Sequence, residues 1–232
     1  GVVWTKLVVA QSDPQNTAIN TLVNGYVSDE AYQALINEPV GYTQVDLVRD
    51  YNGDDMMGNF IQDAVYKQLN NDNIDENDVD MVFNNPGGVR VDWCKASPCV
   101  TGLLDAPFLL TYGMMYQILP FGNQTVVAEM TGAQIIDLFN QSATLFKGSL
   151  DIAGVRYKFY RYSDAMPNTP QPWAWGAFDV EYYNRTDNEW QAINPNATYK
   201  IATNEFLAPA GQDGFVQFKY AKSITYWGDM LD

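Results

Sequence analysis

The chain has 232 residues, of which 47% are hydrophobic and 18% are charged. This composition supports a sizeable core and excludes wholesale disorder. Asp and Glu number 28 against 13 Lys and Arg, a formal net charge of -15 that disfavours a generic nucleic-acid binder, and no apolar run approaches the length of a membrane-spanning helix.

The absence of histidine is the most restrictive count. It excludes a Ser-His-Asp triad, a Cys-His pair and a His-ligated zinc or iron site within this chain. A carboxylate-only calcium or magnesium site is still compatible with the composition.

The first elements predict a strand followed by a helical connector. Residues 1–10 are apolar without a basic leader, so a buried strand fits them better than a signal peptide. The strand begins abruptly at Gly1, as we would expect in a piece of a longer chain. Ser12-Asp13-Pro14 is typical of a helix start, residues 27–30 predict a restart, and Pro39 with Gly41 ends the helical segment.

The middle of the chain alternates helices and strands. Asp54 and Asp55 precede a helical pattern, residues 79–83 predict a buried strand, and residues 124–130 predict another. Thr131 and Gln134 match a capping box at the start of a further helix.

The last third changes to strands. Residues 155–160 and 178–182 alternate apolar and polar side chains, and a final strand passes through Tyr199 and Ile201. This order of elements predicts an α+β fold with a mixed β-sheet flanked by helices.

Cys94 and Cys99 are the only cysteines. They are either two free thiols or a short-loop disulfide, and the disulfide in an oxidising compartment is the favoured interpretation. Four N-x-[ST] sequons add weak support for export; they lie at Asn123, Asn140, Asn184 and Asn196.

Three loops could carry chemistry, and each also has an ordinary structural explanation. Residues 85–90 combine Gly87 and Gly88 with Arg90, which is compatible with anion binding by backbone N–H groups and a guanidinium, or with a tight turn. Phe121 belongs to a Pro-Phe-Gly-Asn turn or to the core. The Gly-rich loop at residues 204–215 lacks the alternating ligands of a calcium loop, and its Asp-Gly pair is common in turns.

Taken together, five ordered segments resemble the C-terminal domain of the 5'-nucleotidase family, which includes ecto-5'-nucleotidases, UDP-sugar hydrolases and 2',3'-cyclic-nucleotide phosphodiesterases. They are GNFIQDAV, FNNPGGVR, ILPFGNQTVVAEMTGAQI, AGVRYKF and YKIATNEFLAPAGQDGF, spread over residues 40–222. The resemblance implies two regions. Residues 1–39 would be the end of a preceding domain plus an interdomain linker helix, and residues 40–232 the substrate-binding C-terminal domain.

The resemblance also implies a set of binding residues. Phe121 and Phe206 match the paired aromatic clamp for the base, Asn123 a hydrogen bond to the base, and Asp213 the acceptor of both ribose hydroxyls. Arg90 matches a phosphate-binding arginine, in the loop that holds Asn85, Gly87 and Gly88, and Arg49 lies near another family arginine. No residue here is expected to be catalytic or to bind metal.

By the same resemblance, the parent protein is a phosphoric ester hydrolase. Its N-terminal metallophosphoesterase domain would hold two divalent metal ions, and this chain alone would need no cofactor and be inactive. We expect a secreted, periplasmic or cell-surface location, a nucleotide or nucleoside as ligand, and no transmembrane segment or nucleic-acid polymer as partner.

Some positions depart from the family pattern. Pro86 replaces a glycine and removes one backbone N–H, and Gln212 changes the loop before Asp213. An alternative function is a non-catalytic nucleotide- or carbohydrate-binding or adhesion module with the same fold. A third hypothesis is an unrelated carbohydrate-binding domain, suggested by the 15 Tyr and 6 Trp residues, and the ordered family motifs argue against it.

Overall fold

The computed structural model describes residues 14–70, 78–95, 99, 103–161 and 175–230. The strand predicted at residues 1–10 and most of the predicted loop after residue 70 lie outside these ranges. Among the described helices, none is both long enough and apolar enough to cross a membrane.

Five α-helices occur in the described residues. Their bounds are α1 Thr17–Val27, α2 Glu30–Ile36, α3 Met56–Leu69, α4 Tyr112–Ile118 and α5 Gly132–Ala143. Asp29 caps α2 and Asp55 caps α3, and Thr131 with Gln134 forms a capping box on α5. These three starts confirm the sequence pattern, because each side chain accepts a backbone N–H that the first helical turn leaves unpaired.

The predicted start of the first helix is wrong by several residues. Pro14 is not helical, and α1 begins after Asn16 instead. The Asn16 side-chain oxygen accepts the N–H groups of Ala18 and Ile19, each at 3.1 Å, so the cap forms there.

The described part of the chain contains ten β-strands in three sheets. Their bounds are β1 Pro39–Val45, β2 Met81–Asn84, β3 Leu103–Thr111, β4 Gln124–Thr131, β5 Asp151–Ala153, β6 Val155–Arg161, β7 Trp175–Asn184, β8 Glu189–Ala192, β9 Thr198–Asn204 and β10 Lys222–Asp229. The five-stranded sheet has the order β10-β4-β9-β2-β5, β1 pairs with β3, and β6-β7-β8 form the third sheet.

The five-stranded sheet confirms the predicted mixed α+β architecture. Its β2–β9 pair is parallel, whereas β4 and β10 run antiparallel to their neighbours, as does β5. The main core cluster lies against this sheet and includes Phe83, Phe139, Phe215 and Phe218, all fully buried. Phe83 makes edge-to-face contacts with Phe139 and Phe218, with ring centroids 5.7 and 6.1 Å apart.

The β1–β3 pair was not predicted from the sequence. Pro39 and Gly41 suggested only the end of a helix, yet both belong to β1, and Pro39 occupies its first position. Strand β3 lies far along the chain from β1, and the pairing is interrupted by two register irregularities. The pairing therefore depends on contacts between residues distant in the chain.

The strand pattern at residues 178–182 is only partly as predicted. Val180 and Tyr182 pack against the core, but Phe178 is 44% exposed and lies beside Tyr160. Between them Asp179 adopts a positive φ of 50°, at a point where β7 has one residue more than β6. This bulge turns Phe178 away from the core.

Helices α1 and α2 contain no buried residue. The apolar side chains of α1 are exposed, including Ile19 and Leu22 at 61% and Tyr26 at 72%. The assignment of residues 1–39 to a preceding domain and linker stays a prediction.

Candidate functional site

A cavity of ≈ 480 Å³ lies where several loops meet at one edge of the five-stranded sheet. It brings together eight of the nine predicted binding residues with two that were not predicted. The lining residues are Tyr51, Asn85, Gly87, Gly88, Arg90, Phe121, Asn123, Lys147, Phe206 and Asp213.

The strand order explains why these loops meet. Strands β2 and β9 are parallel neighbours, so the loops that follow Asn84 and Asn204 leave the sheet at the same edge. Strand β4 runs antiparallel to β9, with Thr125 opposite Asn204. The turn that enters β4, residues 121–123, therefore lies at that edge as well.

The two predicted clamp rings are both accessible in the cavity. Phe121 is 57% exposed and Phe206 is 39% exposed. Phe121 precedes Gly122, whose φ of 59° is the left-handed conformation that a turn requires here and that glycine adopts readily. The Arg90 guanidinium carbon lies 5.6 Å from the centre of the Phe121 ring, within the range of a cation–π contact.

A chain of buried amides leads to Asp213. Asn204 Nδ2 donates hydrogen bonds to the side-chain oxygens of Asn84 and, at 3.0 Å, Asn85. Asn85 Nδ2 in turn donates to Asp213 Oδ2 at 3.1 Å. Asn84, Asn85 and Asn204 are at most 4% exposed. This buried network therefore fixes the orientation of the Asp213 carboxylate.

Gly88 leaves room for this network. A Cβ atom at Gly88 would lie 3.3 Å from side-chain atoms of both Asn84 and Asn85. The sequence allowed either anion binding by the backbone N–H groups of this loop or a tight turn, and several of these groups already have partners. Gly88 N donates to Asn85 O, Val89 N to Pro86 O and Arg90 N to Ile118 O, so these three N–H groups are occupied.

Arg90 remains the cationic group of this loop. Its Nη1 donates to the carbonyl of Gly87 at 3.1 Å, which holds the guanidinium over the loop that precedes it. A guanidinium has five N–H donors in a planar fork, so one such bond leaves most of its donor capacity for a ligand.

Arg49 does not line the cavity. Its Nε donates to Asp92 Oδ1 at 2.9 Å and its Nη1 donates to the carbonyl of Val89 at 3.1 Å. Burial raises the pKa of Asp92, but the hydrogen bonds and charge of Arg49 outweigh this, and the net pKa is lowered. Arg49 therefore braces the segment next to Arg90.

Tyr51 and Lys147 were missed by the sequence interpretation. Lys147 belongs to the loop between α5 and β5, where a Lys-Gly pair after a helix looks like an ordinary helix end. Its φ of 71° is positive, which is uncommon for a residue with a side chain. The positive φ of Lys147 marks the residue as unusual, but it can be read only from the structure and not from the sequence.

Cys94 and Cys99 lie close together, with Cα atoms 5.1 Å apart and sulfur atoms within bonding distance. This Cα separation falls in the usual disulfide range. Cys94 directly follows Trp93, which exchanges backbone hydrogen bonds with Leu47. A disulfide would therefore close a short loop in the segment that follows Arg90.

The chain does not fit a two-metal phosphoesterase centre. It has no histidine, and among the described residues the one group of three possible ligands is Asp46, Cys94 and Cys99. Two of these three atoms are the paired sulfurs. We therefore derive no metal-dependent step from this chain.

Comparison with known proteins gives one family and a consistent fold. The family described as the 5'-nucleotidase C-terminal domain matches residues 35–220. A cell wall protein of Listeria monocytogenes is 31% identical over 206 residues, 83% of this chain and 23% of that protein. The NAD 5'-nucleotidase of Haemophilus influenzae is 27% identical over 183 residues, 73% of this chain and 26% of that protein.

Among solved structures, a 5'-nucleotidase precursor from Thermus thermophilus superposes with a TM-score of 0.66 and 23% identity. The match covers 94% of this chain and 38% of that one. The chain thus spans about a quarter of the length of the curated relatives named above, and the solved structure supports the fold.

Proposed function

This chain belongs to the family of 5'-nucleotidase C-terminal domains, and we propose that its cavity binds a nucleotide through base, ribose and phosphate. Membership confirms the resemblance seen in the sequence motifs. The observation that carries the proposal is the convergence of two exposed aromatic rings, a carboxylate and a guanidinium on one cavity.

The base would stack on Phe121 and Phe206. Both rings are exposed and belong to loops at the same sheet edge. Stacking on an aromatic side chain contributes about 1–3 kcal/mol per base and tolerates any base, because every base has a π-face. Asn123 lines the cavity beside them, and its amide can both donate to and accept from a base edge.

The ribose would be recognised by Asp213. An ionised carboxylate only accepts hydrogen bonds, so it suits a pair of donating hydroxyl groups. The bond from Asn85 Nδ2 supports this role, because it holds the carboxylate in one orientation before a ligand arrives.

The phosphate would be bound by Arg90. A guanidinium can donate two parallel hydrogen bonds to phosphate oxygens, and Arg90 lines the cavity from the loop of Asn85, Gly87 and Gly88. We assign Arg49 a bracing role for this segment, because it is bound to Asp92 and Val89.

We further propose that hydrolysis belongs to a metallophosphoesterase domain outside these 232 residues, with two divalent metal ions. The names of the Haemophilus and Thermus proteins support a nucleotidase context. The Listeria protein is named for the cell wall, which supports an exported location, and a Cys94–Cys99 disulfide would agree with it.

Titration calorimetry with adenosine, uridine and AMP tests this function, together with a phosphate-release assay on AMP. We expect binding of all three, tightest for AMP, and no turnover with or without divalent metal. Failure of all three to bind would overturn the nucleotide proposal, and metal-dependent turnover that survives repurification would overturn the assignment of hydrolysis to another domain.

A further inference from the structure

Two cationic side chains line the cavity, although the proposed function uses only one of them. Arg90 and Lys147 come from separate loops and face the same space. Within the described part of the chain, neither forms an ion pair. In a protein with 28 acidic and 13 basic residues, two cations against the single carboxylate of Asp213 mark this cavity as suited to a multiply charged anion.

The backbone holds Lys147 in an uncommon conformation. Leu145 and Lys147 have positive φ angles of 56° and 71°, and the glycine that follows has a φ of 92°. Non-glycine residues in this region are uncommon, and they cluster at ligand-binding positions. Lys147 lies in this loop and lines the cavity.

Two contacts brace this loop against the rest of the site. Ser149 N donates to the carbonyl of Tyr51 at 2.9 Å, and Tyr51 itself lines the cavity. At Gly148, a Cβ atom would lie 2.6 Å from Pro86 Cγ, so glycine allows the loop to approach the turn that carries Arg90.

Phe146 ties the same loop to the carboxylate side of the cavity. A Cβ atom at Gly214, next to Asp213, would lie 3.2 Å from the Phe146 ring. Lys147 Nζ lies 5.9 Å from the centre of that ring. A cation–π contact at this distance orients an ammonium without using its three hydrogen-bond donors.

We propose that Lys147 is a second phosphoryl-binding group, so that the cavity prefers nucleotides with two phosphoryl groups over nucleoside monophosphates. The proposal rests on the proposed function, in which Arg90 binds the first phosphate. The second phosphoryl group could extend from the first, as in a 5'-diphosphate, or stand on the ribose, as in a 3',5'-bisphosphate. Both present the same dianionic oxygens to an ammonium.

Titration calorimetry at constant ionic strength, without divalent metal, separates these ligands. The parent chain, Lys147→Gln, Lys147→Arg and the control Lys222→Gln are each titrated with adenosine, AMP, ADP and adenosine 3',5'-bisphosphate. Lys222 is the matched control, because it is exposed, loses the same charge and does not line the cavity.

We expect the parent to bind ADP or the bisphosphate at least ~10-fold tighter than AMP, since a hydrogen bond to a charged group contributes at about this level. Lys147→Gln should lower the affinity for that ligand to the affinity for AMP. It should change the affinity for adenosine by less than ~2-fold. Lys147→Arg should retain most of the preference, and Lys222→Gln should match the parent. Whichever of ADP and the bisphosphate binds more tightly than AMP identifies where the second phosphoryl group lies.

Two results would overturn the inference while the proposed function stands. One is adenosine and AMP binding with no gain for either doubly phosphorylated ligand. The other is an equal loss of affinity for all four ligands in Lys147→Gln, with or without a fall in melting temperature. Lys147 would then have a structural role and not a phosphoryl-binding one. If the parent binds none of the four, the proposed function itself fails.

Discussion

The side-chain amide of Asn85 donates a hydrogen bond to Asp213 Oδ2 at 3.1 Å, between residues 128 positions apart. Asn85 is 4% exposed, and its own side-chain oxygen accepts from Asn204 at 3.0 Å. An amide that is held at both ends has one orientation. The orientation of the Asp213 carboxylate in the cavity is therefore set by Asn85 and Asn204, which are themselves buried.

Asn85→Asp should abolish preference for ribose. The new carboxylate still accepts from Asn204, but it repels Asp213 and removes the donor that holds Asp213 Oδ2. We expect the parent to bind adenosine tighter than 2'-deoxyadenosine and the variant to bind them equally, as measured by calorimetry. Asn196→Asp, an exposed change away from the cavity, is the control. An unchanged ratio in Asn85→Asp would contradict the positioning role.

Phe121→Ala and Phe206→Ala should each weaken adenosine binding by about 1–3 kcal/mol, or roughly 5- to 150-fold, because each removes one stacking face. Phe178→Ala is the matched control, since Phe178 is 44% exposed but lies on β7. NMR titration gives the affinities. Parent-like binding by both cavity variants would show that the rings do not hold the base.

Arg90→Ala should weaken AMP by roughly 10- to 150-fold, the range expected for a charge-assisted hydrogen bond, and change adenosine far less. The contact between Arg90 and the Phe121 ring makes adenosine the necessary comparison, because a rearranged ring would weaken both ligands. Arg156→Ala removes the same charge from β6 and serves as the control. A parallel loss of adenosine and AMP would place Arg90 at the base instead of the phosphate.

Asp151→Asn should stabilise the domain near neutral pH. Asp151 is fully buried, and neither of its carboxylate oxygens has a hydrogen-bond partner among the described residues. Burial, followed by the negative charge of Asp55, raises the pKa of Asp151 well above its usual range. The introduced amide is neutral at every pH, so its burial no longer requires a bound proton.

The sign of the pH dependence follows from linkage. The unfolded chain releases this proton near pH ~4, whereas the folded chain retains it to higher pH, so Asp151 lowers stability as pH rises from about 4 through the folded pKa. Melting temperatures should therefore rise in the variant by a few degrees at about pH 7 and converge with the parent near pH ~4. Asp137→Asn, an exposed control on α5, should leave the melting temperature unchanged at both pH values. A lower melting temperature at neutral pH in Asp151→Asn would contradict the argument.

Cys94 and Cys99 should be oxidised in protein purified from an oxidising compartment. Intact mass after alkylation without reductant should show no modified thiol. A closed loop of this length stabilises by about 2 kcal/mol in the chain-entropy model, so reduction should lower the melting temperature of the parent but not of the Cys94→Ser/Cys99→Ser double variant. Two alkylated thiols in the unreduced parent would count against the bridge and the exported location.

The sequence predicted elements whose signals are local. The cap at Asp55, the capping box at Thr131 and the alternation of Val155 with Arg156 each depend on neighbours a few positions away. Ordered motifs also identified the family, and with it a set of residues that turn out to line one cavity, Phe121 and Phe206 among them.

Local signals failed where distant residues decide the structure. Strands β1 and β3 pair across a long stretch of the chain, and the N–H of Arg90 is bound by the carbonyl of Ile118, 28 positions further along. The resemblance placed Arg49 near a ligand-binding position, and the tertiary structure pairs its guanidinium with Asp92.

By itself, the sequence determined the absence of a histidine-based centre, the acidic balance and the family, since composition and ordered motifs need no coordinates. Only the tertiary structure placed Lys147 in the same cavity as Arg90 and left Asp151 buried without a hydrogen-bond partner among the described residues. Loop conformation and burial arise from packing between segments far apart in the chain. No window of neighbouring residues contains that information.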